Sequence, residues 1–202
     1  WGNLPNRDSK PVLSISSGST VTIDTISHEG LIEDQGRDPE EFFGKHGVHK
    51  DEVLQDAIAI AKSDIFHDFD AHGPHIVTGP IAVEGAEPGD VLKVEVLSLT
   101  PRVPYGVISN RHYKGSLVGE FPENEGRLDG ASAENPELYN NVSKFTPLEN
   151  INGKLYGVLP IESGGNVRFP IDPFMGLMGV APDTSDYVSS VPPIETGGNI
   201  DI

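Results

Sequence analysis

The sequence predicts a mainly β protein, with sandwich- or barrel-like β subdomains and a small helical insertion near residues 38–62. Three observations carry this expectation. Glycine (23) and proline (17) are abundant in 202 residues of which only 36% are apolar, a mix suited to short strands joined by turns and not to a helical bundle. Short runs alternate apolar and polar side chains along much of the chain, the period-2 signature of a half-buried strand. Helical spacing is confined to one stretch, just after Asp38. The length fits one domain, or two small ones sharing a core, and no composition shift marks a linker, so residues 1–202 are taken together.

The elements follow in order. Pro11 to Thr25 alternates on both sides of Ser17-Gly18, with Leu13 and Ile15 on one face and Val21 and Ile23 likewise. This predicts a β-hairpin with one buried side, its Ser-rich turn bonding its own backbone. Asp38-Pro39-Glu-Glu reads as a helix start: Asp as N-cap, Pro in the first turn, acids near the positive end. From Asp51, the residues Val53, Leu54, Ala57, Ile58 and Ala61 recur at helical spacing and predict an amphipathic helix packed across a sheet. His46 and His49 read as solvated loop histidines.

A strand is expected at Ile81–Val83, then a Glu87-Pro-Gly-Asp90 turn with glycine in the left-handed position, then a strand from Val91 with Leu92, Val94 and Val96 on its apolar face. This turn-then-strand pattern repeats that of Ser17 to Ile23, a weak internal duplication of two related β units. Further short strands are expected at Tyr105–Ser109, Val142–Phe145, Lys154–Leu159 and Val167–Ile171. Between them, Gly119 to Asn140 is polar, acidic and turn-rich, which predicts a long surface excursion. Met175-Gly-Leu-Met-Gly-Val-Ala suits a buried strand that another backbone approaches closely.

Composition excludes several classes of function. A formal net charge of −17 argues against a nucleic-acid partner, and no basic stripe exists; Arg111, His112 and Lys114 are too few. The same acidity would repel small anionic substrates and leave neutral ones unaffected. The absence of cysteine removes both a disulfide framework and a thiol nucleophile. No apolar run is long enough for a membrane span and no signal peptide is visible, although a leader could already be absent from a chain that begins at Trp1. A cytoplasmic location is expected. Asn141-Val-Ser143 fits the glycosylation pattern, a triplet that also arises by chance.

Chemistry concentrates between Asp64 and Val91. His67, Asp68, Asp70, His72 and His75 crowd into a short stretch, and imidazole nitrogens with carboxylate oxygens at such intervals suit a divalent metal such as zinc. Gly73-Pro74 would turn the chain, so that His72 and His75 need not diverge. A polar loop preceding a strand is the plainer reading of the same residues, with His67 and Asp68 simply capping the preceding helix.

The run His75-Ile-Val-Thr-Gly-Pro-Ile, followed by Val83-Glu-Gly-Ala-Glu-Pro-Gly-Asp-Val-Leu, resembles the signature of the acetamidase/formamidase family. Pro173-Phe-Met-Gly-Leu-Met-Gly-Val-Ala, Val191-Pro-Pro and Gly197-Gly-Asn-Ile-Asp extend the resemblance in the same order, from Trp1 to Ile202. It implies hydrolysis of short-chain carboxamides to a carboxylate and ammonia, and a homo-oligomer. Family members usually continue beyond the Gly-Gly-Asn-x-Asp segment. The domain is therefore expected to be incomplete at its C-terminus: a processed enzyme whose C-terminal fragment is a separate chain, a truncated form, or an inactive variant that keeps the scaffold.

Amide cleavage by other familiar routes finds no residues here. A nitrilase needs cysteine, and neither a Gly-x-Ser-x-Gly elbow nor a His-Glu-x-x-His helix occurs. Ser163-Gly-Gly-Asn and Ser189-Ser190 lack the context and the lysine of the amidase-signature enzymes. Metal-activated water is the surviving scheme, since a Lewis acid both lowers the pKa of its water and polarises the carbonyl. The candidate ligands are His75, then Asp70 and His72. Glu84 or Asp201 could shuttle the proton to the departing nitrogen. Thr78 and Gly79, adjoining His75 in the family-like motif, are candidate substrate contacts. So are Asn199, beside glycines that permit close approach, and His112, on a loop at the site mouth. The rival reading is a noncatalytic binding or structural module on the same β scaffold.

Overall fold

A computed structural model describes residues 1–191 and 197–199. In chain order the elements are β1 (Asn3–Leu4), β2 (Leu13–Ile15), α1 (Pro39–Gly44), α2 (Gln55–Ala61), β3 (Ile81–Val83), β4 (Tyr105–Asn110), β5 (Val142–Ile151), β6 (Lys154–Pro160), β7 (Asn166–Pro170), β8 (Leu177–Gly179), β9 (Val188–Ser189) and β10 (Gly197–Asn199). Single 3₁₀ turns lie at Glu33–Gln35, Lys50–Glu52 and Pro136–Tyr139. Strand outweighs helix, so the mainly β expectation holds, and the two α-helices fall inside the anticipated 38–62 window. Among the described residues no helix is long and apolar enough to cross a membrane.

The chain divides into two compact units: one gathers Trp1–His28, Ile65–Leu99 and the stretch from Phe174, the other Glu29–Asp64 and Thr100–Pro173. The second unit carries both α-helices and a four-stranded antiparallel sheet in the order β4-β5-β6-β7. Helix α1 starts as its sequence dictates. The Asp38 carboxylate accepts from the Glu41 N–H at 3.0 Å, and Pro39 occupies the first turn, where its missing N–H costs nothing. In α2 the apolar stripe turns Ala57 and Ile58 inward. Phe43, Val53, Ile58 and Tyr105 form the buried cluster, with Phe145 of β5 packed against it. The helices thus cover strands β4 and β5, as the amphipathic pattern requires. His46, exposed in its loop, also stacks flat on the Phe145 ring at 4.7 Å, a use the sequence did not suggest.

A buried ionic network holds the loop of residues 29–35 to the same sheet. Arg111 donates to Asp34 through Nε (2.7 Å) and Nη2 (3.2 Å), and to Glu29 through Nη1 (3.2 Å). Ser109 and Gln35 also donate to Glu29, and Asn141 donates to Asp34 at 2.8 Å. Both acids and Gln35 are buried, so this charge survives inside the fold only because each carboxylate is paired and hydrogen-bonded. Asn141, the residue of the glycosylation-like triplet, is thereby engaged within the fold.

Among the described residues of the first unit three two-stranded ladders form, β1 with β9, β8 with β10, and β2 with β3. Here the structure corrects the expected hairpin. A turn does close at Ser16–Ser19, with Ser19 N–H donating to Ser16 C=O at 3.1 Å, but residues 20–26 do not fold back as a strand. Instead β2 pairs in parallel with β3, Leu13 opposite Ile81 and Ile15 opposite Val83. The ladder continues through Val12 N–H to Pro80 C=O (2.9 Å) and Glu84 N–H to Ile15 C=O (2.8 Å). A distant partner therefore takes the edge that the local pattern reserved for Val21 and Ile23. The strands that were expected to follow the two recurring turns form in neither copy, so the turn-then-strand repeat of the sequence is not repeated in the fold. In the second of these turns Asp90 accepts from the Glu87 N–H and Gly89 stands at φ 101°, as anticipated. Residues 91–99 are likewise not a strand; Val91 is 94% exposed and Leu92 and Val94 are about half exposed. The close approach expected at Met175–Ala181 is present, since Gly179 of β8 pairs with Gly197 of β10 and a Cβ on Gly197 would collide with the Gly179 Cα. The strand is not buried, however: Leu177 and Met178 are partly covered and Gly179 and Val180 are exposed.

Candidate active site

The histidine-rich stretch lies in the first unit and is organised by its own backbone. Asp68 accepts from the N–H groups of Asp70 (2.9 Å) and Ala71 (3.1 Å), which holds its carboxyl below the usual carboxylate range. The Asp68 N–H donates to Nδ1 of His72 at 3.2 Å, and the His72 N–H donates to the Asp68 carbonyl at 2.9 Å. His72 thus closes this loop with one ring nitrogen and its backbone. His67 is 4% exposed; its Nε2 lies 3.0 Å from the Gly73 carbonyl and its ring stacks on Trp1 at 4.6 Å. The Trp1 indole N–H donates to the Pro74 carbonyl at 3.0 Å. The stacked pair Trp1 and His67 therefore holds both carbonyls of the Gly73-Pro74 bend.

Beyond that bend stands His75, half-buried. Its Nδ1 is 2.8 Å from Oγ of Ser190, a residue with no exposed surface, and the His28 ring meets it edge-on at 5.9 Å. Burial lowers the His75 pKa below the ordinary imidazole value, and the neighbouring His28 adds to the effect by disfavouring a second positive charge. Both effects favour the neutral form of the His75 imidazole. The frame around it is backbone: Gly2 N–H donates to the His75 carbonyl (2.7 Å), while Gly73 N–H (3.2 Å) and Ser190 N–H (3.3 Å) converge on the Gly2 carbonyl. The β1–β9 ladder, Asn3 opposite Ser189 and Leu4 opposite Val188, delivers Ser190 to this point.

The other expected site residues take these places. Asp70 is exposed, with its backbone N–H on Asp68. Thr78 is exposed, and its hydroxyl donates to the Asp24 carbonyl at 3.4 Å. Gly79 precedes Pro80 with φ 133° at the entry to β3. Glu84 accepts from the Ser16 hydroxyl at 2.7 Å and so fastens the end of β3 to the turn after β2. His112 belongs to the second unit, where its N–H donates to Asn141 and its Nε2 lies 2.6 Å from Asn124 Oδ1. Asn199 ends the β10 ladder opposite Leu177, and Asp201 lies outside the described residues. Among the described residues no three His, Asp or Glu side chains form a group that could hold a metal ion. An open groove of ≈ 540 Å³ is lined by residues 91–94, 178–180 and Gly197, with no imidazole or carboxylate among them.

The sequence profile of the Acetamidase/Formamidase family matches residues 48–186. The chain belongs to the acetamidase/formamidase family. The matched stretch is narrower than the Trp1–Ile202 span of the sequence resemblance, but it contains the whole histidine-rich loop, Thr78, Gly79, Glu84 and His112. Comparison with curated proteins and with solved structures finds no match. Two neighbours of His75 were not singled out for that place by the sequence, Ser190 and His28, and both fall outside the stretch that matches the acetamidase/formamidase profile. Neither lies in a motif; folding alone brings them to His75.

Proposed function

We propose that this acetamidase/formamidase-family chain hydrolyses short-chain carboxamides, such as formamide and acetamide, to the carboxylate and ammonia. The observation that carries the reading is His75: a neutral, half-buried imidazole at the head of the family-like motif, held through Nδ1 by a buried hydroxyl. An unactivated amide resists water, so the site has to supply a base that generates the nucleophile. His75 Nε2 takes a proton from water as the water oxygen bonds to the carbonyl carbon. The C–N bond then breaks with its electron pair on nitrogen, and the imidazolium returns the proton to the departing amine. A neutral amide suits a chain of net charge −17, which would hold off anionic competitors.

A divalent metal such as zinc, expected from the same loop, needs convergent donors. Asp70, His72 and His75 do not form such a group among the described residues, so no step above runs through a metal.

The test is ammonia release from a panel of formamide, acetamide and propionamide, with and without prior treatment with a chelator. His75→Ala is expected to lower kcat/KM by about 10²–10⁴-fold, the usual worth of a positioned general base. Release that vanishes on chelation and returns with zinc would restore the metal scheme in place of the direct one. No release from any amide would leave the noncatalytic binding module as the better account.

A further inference from the structure

We infer that Ser190 is a positioning residue for His75, fixing the imidazole in the tautomer that carries its proton on Nδ1 and leaves the Nε2 lone pair open. The catalytic part of this inference rests on the amide-hydrolase reading above; the tautomer part rests on geometry alone.

A serine hydroxyl has one proton to give and lone pairs to accept. Among the described residues two polar partners stand within reach of the Ser190 Oγ: His75 Nδ1 at 2.8 Å and the Gly2 carbonyl at 3.4 Å. A carbonyl can only accept, so the hydroxyl proton goes to Gly2 and the hydroxyl oxygen faces Nδ1 with a lone pair. Nδ1 must then carry the hydrogen. The chain Nδ1–H···Oγ–H···O=C makes both bonds; the opposite tautomer would spend the single hydroxyl proton on Nδ1 and make one bond fewer. Inside a protein, where an unmade hydrogen bond is costly, the arrangement with both is preferred.

The hydroxyl is held in place by its surroundings. Ser190 is fully buried, and its backbone N–H is tied to the same Gly2 carbonyl that receives its side chain. Gly73 packs against it so tightly that a Cβ there would stand 2.5 Å from the Ser190 Oγ and 3.1 Å from the Gly2 oxygen. Its neighbour Ser189 is differently engaged, with a hydroxyl that donates to the Val191 carbonyl at 2.6 Å and accepts from the Val191 N–H at 3.1 Å. Of the two serines, only Ser190 therefore addresses the imidazole. Complete burial also rules Ser190 out as a nucleophile, because its oxygen cannot reach an amide carbon. Its role is to aim and protonate the back of the ring, as second partners of functional histidines do elsewhere.

The decisive measurement is the long-range ¹H–¹⁵N correlation spectrum of ¹⁵N-histidine-labelled full chain above the His75 titration. The expected result is a protonated Nδ1 and an unprotonated Nε2; the reverse pattern overturns the inference. Ser190→Ala should move His75 toward the other tautomer and lower kcat/KM for formamide about tenfold, with a shifted acid limb in its pH profile, the scale typical of lost second partners. Ser189→Ala should leave the His75 resonances in place. An active wild type whose turnover and pH profile are untouched by S190A would overturn the positioning role. If S190A does not fold, the wild-type spectrum still decides the tautomer. A wild type that hydrolyses no amide refutes the hydrolase reading, while the spectrum continues to judge the Ser190–His75 geometry separately.

Discussion

His75 Nδ1 and Ser190 Oγ, 115 residues apart in the chain, lie 2.8 Å from each other, and the serine has no solvent-exposed surface. The β1–β9 ladder and the convergence of two N–H groups on the Gly2 carbonyl set that distance. One consequence is that the surroundings of the imidazole are built from four separate stretches: Gly2, His28, the 73–75 bend and Ser190.

The pH profile should report this environment. Burial, and then His28, depress the His75 pKa from its ordinary value of about 6.5. The base form is the active one, so kcat/KM for formamide should stay on its plateau below that pH before falling tenfold per unit on the acid side. Of the groups packed against the ring, Ser190 does not titrate in this range and His28 is the one that can carry charge. His28→Ala should consequently move the acid limb to higher pH, toward the ordinary value. An acid limb above about 6.5 in the unmodified protein would contradict the role given to His75.

The same depression has a stability counterpart with a definite sign. The unfolded chain binds the proton more tightly than the folded one, so folding stability should rise with pH through this window. It is complete above the unfolded imidazole value and is progressively lost as pH falls through it toward the lowered folded value. Urea unfolding at a series of pH values, compared with His75→Gln, isolates this contribution as the part of the slope that the substitution removes.

Gly73→Ala should be costly despite adding a single methyl. The new Cβ would stand 2.5 Å from the Ser190 Oγ, 3.1 Å from the Gly2 carbonyl oxygen and 3.5 Å from the Ser189 Oγ. Overpacking of this kind costs about 1–3 kcal/mol, and here it would also push Ser190 off the imidazole. Urea denaturation should show the loss, and the His75 nitrogen shifts should move with it.

Arg111→Met should destabilise the chain by about 3–5 kcal/mol, because it strands the buried carboxylates of Glu29 and Asp34 without their cation. Burial works against the Arg111 charge, but the two acids more than offset it, and its pKa is raised. Arg111→Lys should recover only part of the loss, since an ammonium cannot reach both acids with the forked geometry of a guanidinium. Equal stability of the Lys variant and the parent by chemical denaturation would contradict the bidentate account.

Asp38→Ala tests the local end of the hierarchy. It removes the 3.0 Å bond to the Glu41 N–H from a six-residue helix and should cost about 1 kcal/mol, read as a fall in the denaturation midpoint with an unchanged slope.

What the sequence determined by itself is what short-range physics controls. The cap at Asp38, the inward stripe of α2, the strands from Tyr105 to Pro170, the Glu87–Asp90 turn and the close approach of Gly179 all follow from neighbours or periodicity, and all appear as expected. The family-like motif was legible for the same reason, being contiguous. Partner choice over long range was decided only by the tertiary structure. Leu13 and Ile15 carry a strand pattern that is satisfied equally by Val21 and Ile23 next door or by Ile81 and Val83 far away, and the fold takes the distant pair. The histidines were crowded in sequence, but their neighbours in space differ: Asp68 closes on His72, Trp1 covers His67, and Ser190 with His28 frames His75. Spacing places side chains along a chain; hydrogen bonds and packing between remote segments decide which of them meet.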